Sequence, residues 1–98
     1  MKFEDYRRYD AIGLAELVAR REVSASELLE TALARAEAVN PKINAITVPL
    51  TEAARKTAAA PLSGPLSGVP FLLKDLGVIW AGTATSVGSK VFKYNIAA

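Results

Sequence analysis

The sequence predicts a layered α/β or α+β fold in which helices cover a sheet, and three observations carry that prediction. Two amphipathic stretches begin at good helix caps, Asp10 and Ser24. A short β-branched run, Ile43 to Val48, is closed by Pro49. A second apolar run, Val69 to Leu73, follows a loop rich in Pro, Ser and Gly. The resulting order is helix, helix, strand, helix, strand.

Asp10 caps a helix predicted over residues 11–21. Leu14, Leu17 and Val18 recur on one face, and Glu16, Arg20 and Arg21 on the other. Glu22-Val23 breaks the pattern. Ser24-Ala25-Ser26-Glu27 is a capping box, in which Ser24 covers the amide of Glu27 and Glu27 reaches back. Its helix is predicted to run to Val39, with Leu28, Leu29, Ala32, Leu33, Ala36 and Val39 on the apolar face. Asn40-Pro41 is expected to end it, because the residue before a proline is pushed out of helical geometry. The short connection between these helices suggests an antiparallel hairpin. Ile43 to Val48 reads as a strand, and Leu50 or Thr51 to Ala60 as a helix. Pro61 to Pro65 reads as a loop. Val69 to Leu73 is continuous rather than alternating, which suits a strand covered on both faces. Gly77 to Trp80 is a further short strand. Beyond Gly82 a Thr/Ser-rich loop is expected, with a helical turn around Ser89 to Tyr94.

The 98 residues make at most one small domain, which buries only about two-thirds of its unfolded surface. An apolar share of 51% argues against disorder, but much of it is alanine, so an autonomous core is thin. Net charge is +2 and the signs are mixed along the chain. Arg7-Arg8 and Arg20-Arg21 carry no interleaved aromatics, so no nucleic-acid partner is expected. With neither cysteine nor histidine, disulfides, thiol chemistry and histidine-based metal sites or triads are excluded. No metal or cofactor is expected. Met1 to Asp5 does not resemble a signal peptide, and no apolar run approaches the roughly 20 residues that span a bilayer. The expectation is a cytoplasmic protein with no membrane partner.

A phosphate loop fails on chemistry. Gly77 to Gly82 has the glycine spacing, but Thr83 stands where the phosphate-binding lysine belongs. Trp80 and Tyr94 read as packing residues rather than stacking platforms. The chemically suggestive feature is Lys74, delivered at the far end of the run Phe71-Leu72-Leu73 and followed by Asp75. Burial disfavours an ammonium, and a neutral lysine is a general base. On spacing alone the favoured reading of this pair is a strand end meeting solvent.

The wider pattern is Pro65-Leu66, Gly68-Val69-Pro70, Lys74-Asp75, Gly82-Thr83, Thr85 and Gly88-Ser89. In this order and spacing it resembles the opening of the amidase signature family, serine hydrolases that cleave carboxamides with two serines and a lysine. The resemblance begins in the helical lead-in and is most specific over residues 65–89. It implies an α/β fold in which residues 1–98 form the N-terminal portion of one amidase domain. A helical lead-in over 10–40 then covers a mixed sheet that starts within 43–98. It implies that Lys74 is the catalytic lysine and that Asp75 has an orienting or structural role. In the family both serines lie well downstream of the lysine. Ser63, Ser67, Ser86 and Ser89 sit in turn-like contexts, none within a Gly-x-Ser-x-Gly elbow, so this chain by itself is expected to be inactive.

The implied partners are a small-molecule amide and the remainder of the amidase domain, with a homodimer left open. Within the family, Phe71 to Leu76 looks more like the amidases similar to 6-aminohexanoate cyclic dimer hydrolase. Asn40-Pro41, Ile43-Asn44-Ala45 and Pro49-Leu50 point the same way. The subunits of tRNA-dependent amidotransferases tend to carry asparagine where Leu76 stands, and Thr85-Ser86 replaces the usual Thr-Thr pair. A fragment of such a subunit, and a non-catalytic interaction module built on the same lead-in, are the other two readings.

Overall fold

A computed structural model describes residues 1–74 together with 81, 82 and 96. Four helices follow in order: α1 Phe3–Tyr6, α2 Ala11–Ala19, α3 Ala25–Ile43 and α4 Thr51–Ala59. Among the described residues the only β feature is an isolated bridge at Ile96, so the expected mixed sheet is not seen there. The expected strand at Gly77 to Trp80 and the helical turn at Ser89 to Tyr94 lie outside the described residues.

The caps of α2 and α3 form where local chemistry places them. Asp10 Oδ1 accepts from the Gly13 N–H at 2.7 Å, and Ser24 Oγ accepts from the Glu27 N–H at 3.1 Å. The Glu27 carboxylate, expected to reach back to Ser24, lies 3.9 Å from the Met1 amine. α2 ends at Ala19, earlier than expected, in a Schellman motif. The Glu22 N–H donates to the Leu17 carbonyl and the Arg21 N–H to that of Val18, both at 3.0 Å. Arg21 takes the left-handed position with φ 59°, where glycine is the usual residue. This reversal turns Val23 inward, where it is 6% exposed. Sequence periodicity marked Val23 only as a break.

Leu14, Leu17, Val23 and Leu28 form the core, with Tyr6, Val18 and Val69 packed against it. Leu28 is wholly buried, and a leucine brought in from water contributes about 1.5–3 kcal/mol. Burial also raises the Tyr6 phenol above its ordinary range. The core therefore sits at the corner where α2 turns into α3. The backbones that run close together are α3 with α4 and α3 with α1, so the expected α2–α3 hairpin does not extend along the helices. Short α1, not foreseen from the sequence, is held by Phe3, whose ring lies 4.6 Å from the Arg35 guanidinium carbon. The buried hydroxyl of Thr31 donates towards the Met1 and Glu27 carbonyls, at 3.0 and 2.9 Å. Across α3 and α4, Arg55 grips the Glu30 carboxylate with two bonds of 2.7 and 3.1 Å. Those bonds hold the Glu30 carboxyl below its ordinary range.

The two strands expected within 43–73 are not formed. α3 continues through Pro41 to Ile43 and stops at Asn44, which is left-handed with φ 49°. Pro41 removes one intrahelical donor, and the helix continues only two residues beyond it. The Asn40 side chain then occupies both backbone groups of Ile46. Its Nδ2 donates to the Ile46 carbonyl at 3.1 Å, and its Oδ1 accepts from the Ile46 N–H at 2.9 Å. At Ile46 the two backbone groups that a strand would use for its ladder are thus taken by one side chain. Val69 to Leu73 is likewise irregular rather than a covered strand. Phe71 and Leu72 are 79% and 74% exposed. Among the described residues no neighbouring strand pairs with it, and without a ladder partner a strand has no bonds to make.

Candidate active site

The segment that leads to Lys74 is built from two consecutive turns. Ser67 N–H and Oγ both donate to the Gly64 carbonyl, at 3.3 and 2.8 Å, and the Val69 N–H donates to that of Leu66 at 3.3 Å. Gly68 occupies the third position of the second turn with φ 85°, a conformation that a side chain strongly disfavours. The site is also crowded. A methyl built on Gly68 would lie 3.1 Å from the Ala25 Cβ and 3.1 and 3.2 Å from the two Val18 methyls. Gly68 therefore rests against the α2–α3 corner, and Val69 packs on the core beside it.

From that anchor the chain leaves through Pro70 to Phe71, Leu72, Leu73 and Lys74, all four on the surface. The burial around Lys74 expected from its apolar run is therefore absent among the described residues. Asp75, Leu76, Thr83, Thr85, Ser86, Gly88 and Ser89 lie outside the described residues. Gly82, part of the same motif, is exposed with φ 81°, so its role as a turn glycine has a conformational basis. Ser63 is exposed, and Ser67 spends its hydroxyl on the Gly64 carbonyl. Neither is brought to Lys74 by any described hydrogen bond.

A groove of ≈ 710 Å³ lies between α2 and the loop after α4, walled by Ile12, Ala15, Val18, Ala58, Leu62 and Pro65 among others. Lys74 does not line it. Lys74, the lysine singled out from the sequence, thus lies on an exposed apolar segment that begins at Gly68 and Val69. Sequence reasoning singled out Lys74 and a Pro/Ser/Gly turn before it, but not the contact of Gly68 with Val18 and Ala25. No local signal marks that contact, since both residues read simply as helix positions.

The Amidase family model matches residues 27–98, and the chain belongs to that family. Over 84 residues it is 48% identical to the 6-aminohexanoate-cyclic-dimer hydrolase of Pseudomonas sp. (strain NK87), covering 86% of this chain and 17% of that protein. It is 39% identical over 95 residues to an acylamidase of Rhodococcus erythropolis, covering 89% of this chain and 20% of that protein. It is 41% identical over 86 residues to a glutamyl-tRNA(Gln) amidotransferase subunit of Heliobacterium modesticaldum, covering 80% and 18%. The chain therefore spans about a fifth or less of the length of these relatives. No solved structure gives a significant match. Among the described residues no helix is long and apolar enough to cross a membrane.

Proposed function

We propose that residues 1–98 are the N-terminal portion of an amidase domain that hydrolyses a carboxamide C–N bond through an acyl-serine, with Lys74 as its base. The observation that supports this most is the family match over 27–98, which includes Lys74 and Asp75. The 48% identity to a hydrolase of a cyclic 6-aminohexanoate dimer makes a linear or cyclic amide the substrate class to test first. Cytoplasm is the compartment that goes with this reading.

In the proposed chemistry neutral Lys74 takes a proton from a bridging serine, which takes one from the nucleophilic serine. The serine oxygen attacks the amide carbonyl, and backbone N–H groups stabilise the oxyanion. The C–N bond breaks as the amine leaves with a proton, and water then hydrolyses the acyl-serine to the acid. A lysine in water is ~99.9% protonated at pH 7, from a reference value of about 10.4. The exposed run Phe71-Leu72-Leu73 is the surface on which the rest of the domain would close to exclude that water. Both serines are assigned to sequence beyond residue 98.

The match to an amidotransferase subunit supports a second reading, in which this chain is part of such a subunit working inside a complex. Intact mass spectrometry of the complete enzyme with a slowly deacylated amide tests the first reading. A covalent acyl adduct should form in wild type, release free acid without an acceptor complex, and be absent from Lys74→Ala. Turnover by residues 1–98 alone, above a Lys74→Ala control, would contradict it.

A further inference from the structure

Resting on the assignment of Lys74 as the base, we propose that the α2–α3 corner positions the lysine, with Val18 and Ala25 as positioning residues that seat Gly68. Three observations carry this. A methyl at Gly68 would press on the Ala25 Cβ and both Val18 methyls at 3.1–3.2 Å, tighter than ordinary contact, at a φ of 85° that side chains disfavour. Val69, next along, is packed into the Leu14, Leu17, Val23 and Leu28 cluster, so the seat is continuous with the best-buried part of the molecule. Between this seat and Lys74 lie only Pro70 and three residues, and the proline ring fixes one of the intervening φ angles.

The consequence is one of register. Where residues 69–74 are extended against a neighbouring strand, side chains alternate between faces. Val69 in the core then places Phe71 and Leu73 on its own side and Lys74 on the other. A slip of one residue at Gly68 would move the amine to the wrong face. The fixed point is the corner, and it lies on helices that contribute no reacting group.

The test uses the complete enzyme with Ala25→Val, Val18→Ala and the double variant, beside Lys74→Ala. Ala25→Val places two methyl groups where Gly68 rests. It should lower kcat about 10- to 100-fold, as misplacement of a reacting group by about 1 Å does, with KM changed by less than about twofold. Val18→Ala opens the opposite wall and should lower kcat less. The volume-conserving double variant should recover kcat to within about threefold of wild type. Should Ala25→Val fail to fold, Val18→Ala carries the same kcat-against-KM split. An unchanged kcat per folded molecule in either single variant, with only the unfolding midpoint lowered, would make the corner merely structural and overturn the proposal. Lys74→Ala separates the two levels. If it abolishes turnover while the corner variants keep theirs, only the positioning role falls. If it keeps turnover, the base assignment falls and takes the positioning role with it.

Discussion

The α2–α3 corner and the segment running into Lys74 are built from equally apolar residues but end in opposite states. At the corner, Leu14, Leu17, Val23 and Leu28 are at most 8% exposed, because a Schellman reversal folds one helix onto the start of the next. Past Pro70, Phe71 and Leu72 are more than 70% exposed with nothing described to cover them. The difference lies in reach. The four buried leucine and valine residues of the corner lie within fifteen positions of one another, whereas no described residue covers Phe71 and Leu72. The first region stabilises itself, and the second, on the proposed reading, is where the chemistry is done.

The sharpest way to break this comparison is to truncate one residue in each region. Leu28→Ala should cost residues 1–98 about 2–5 kcal/mol in urea unfolding, enough to leave a thin core largely unfolded. Phe71→Ala should change the same chain by less than about 0.5 kcal/mol, because its ring is already in water. In the complete enzyme the contrast should vanish, with Phe71→Ala costing about 3 kcal/mol or more once its ring is covered. Equal, small effects of Phe71→Ala in both settings would mean that the segment stays exposed.

Smaller changes probe how the corner is closed. Ser24→Ala removes the cap of α3 and should lower the unfolding free energy by about 1 kcal/mol, read from the urea midpoint. Arg21→Gly should raise it by about 0.5–1 kcal/mol, since glycine takes the left-handed position without steric cost. A loss of stability there would show that the arginine side chain matters more than its backbone.

These sites also show why some of the fold was legible and some was not. Asp10 and Ser24 could be read directly because a cap bonds an amide three residues away. The Schellman turn was hidden because its usual glycine is replaced by Arg21, so Val23 was not recognised as core. Asn40-Pro41 misled for a related reason. Its stop signal is a preference rather than a bar, and the helix ends two residues past Pro41, just before left-handed Asn44, with the Asn40 side chain bonded to Ile46 beyond it. Lys74 is singled out by the order and spacing of a family pattern, not by its own neighbours. The Gly68 turn was visible in sequence, whereas its seat on Val18 and Ala25 depends on two helices more than forty residues away.

The smallest expected effect concerns the Arg55–Glu30 pair. The arginine's hydrogen bonds lower the Glu30 carboxyl in the folded chain. Its contribution is therefore present above the unfolded carboxyl range and is lost as pH falls through the lowered folded value. Both groups are exposed, so the contribution is small and weakens with salt. NMR titration of Glu30 should show an acid-shifted midpoint that reverts in Arg55→Ala. An unchanged midpoint would mean the pair is not held in solution.

The central claim, that Lys74 acts as a base, is tested most directly by comparing Lys74→Ala with Lys74→Arg in the complete enzyme through the rate of acyl-enzyme formation. Both variants should keep the unfolding midpoint and lose about 10²–10⁴-fold in rate, because a guanidinium remains protonated and cannot accept the serine proton. If Lys74→Arg acylated at close to the wild-type rate while Lys74→Ala did not, positive charge rather than proton abstraction would be the lysine's contribution, and the claim would be contradicted.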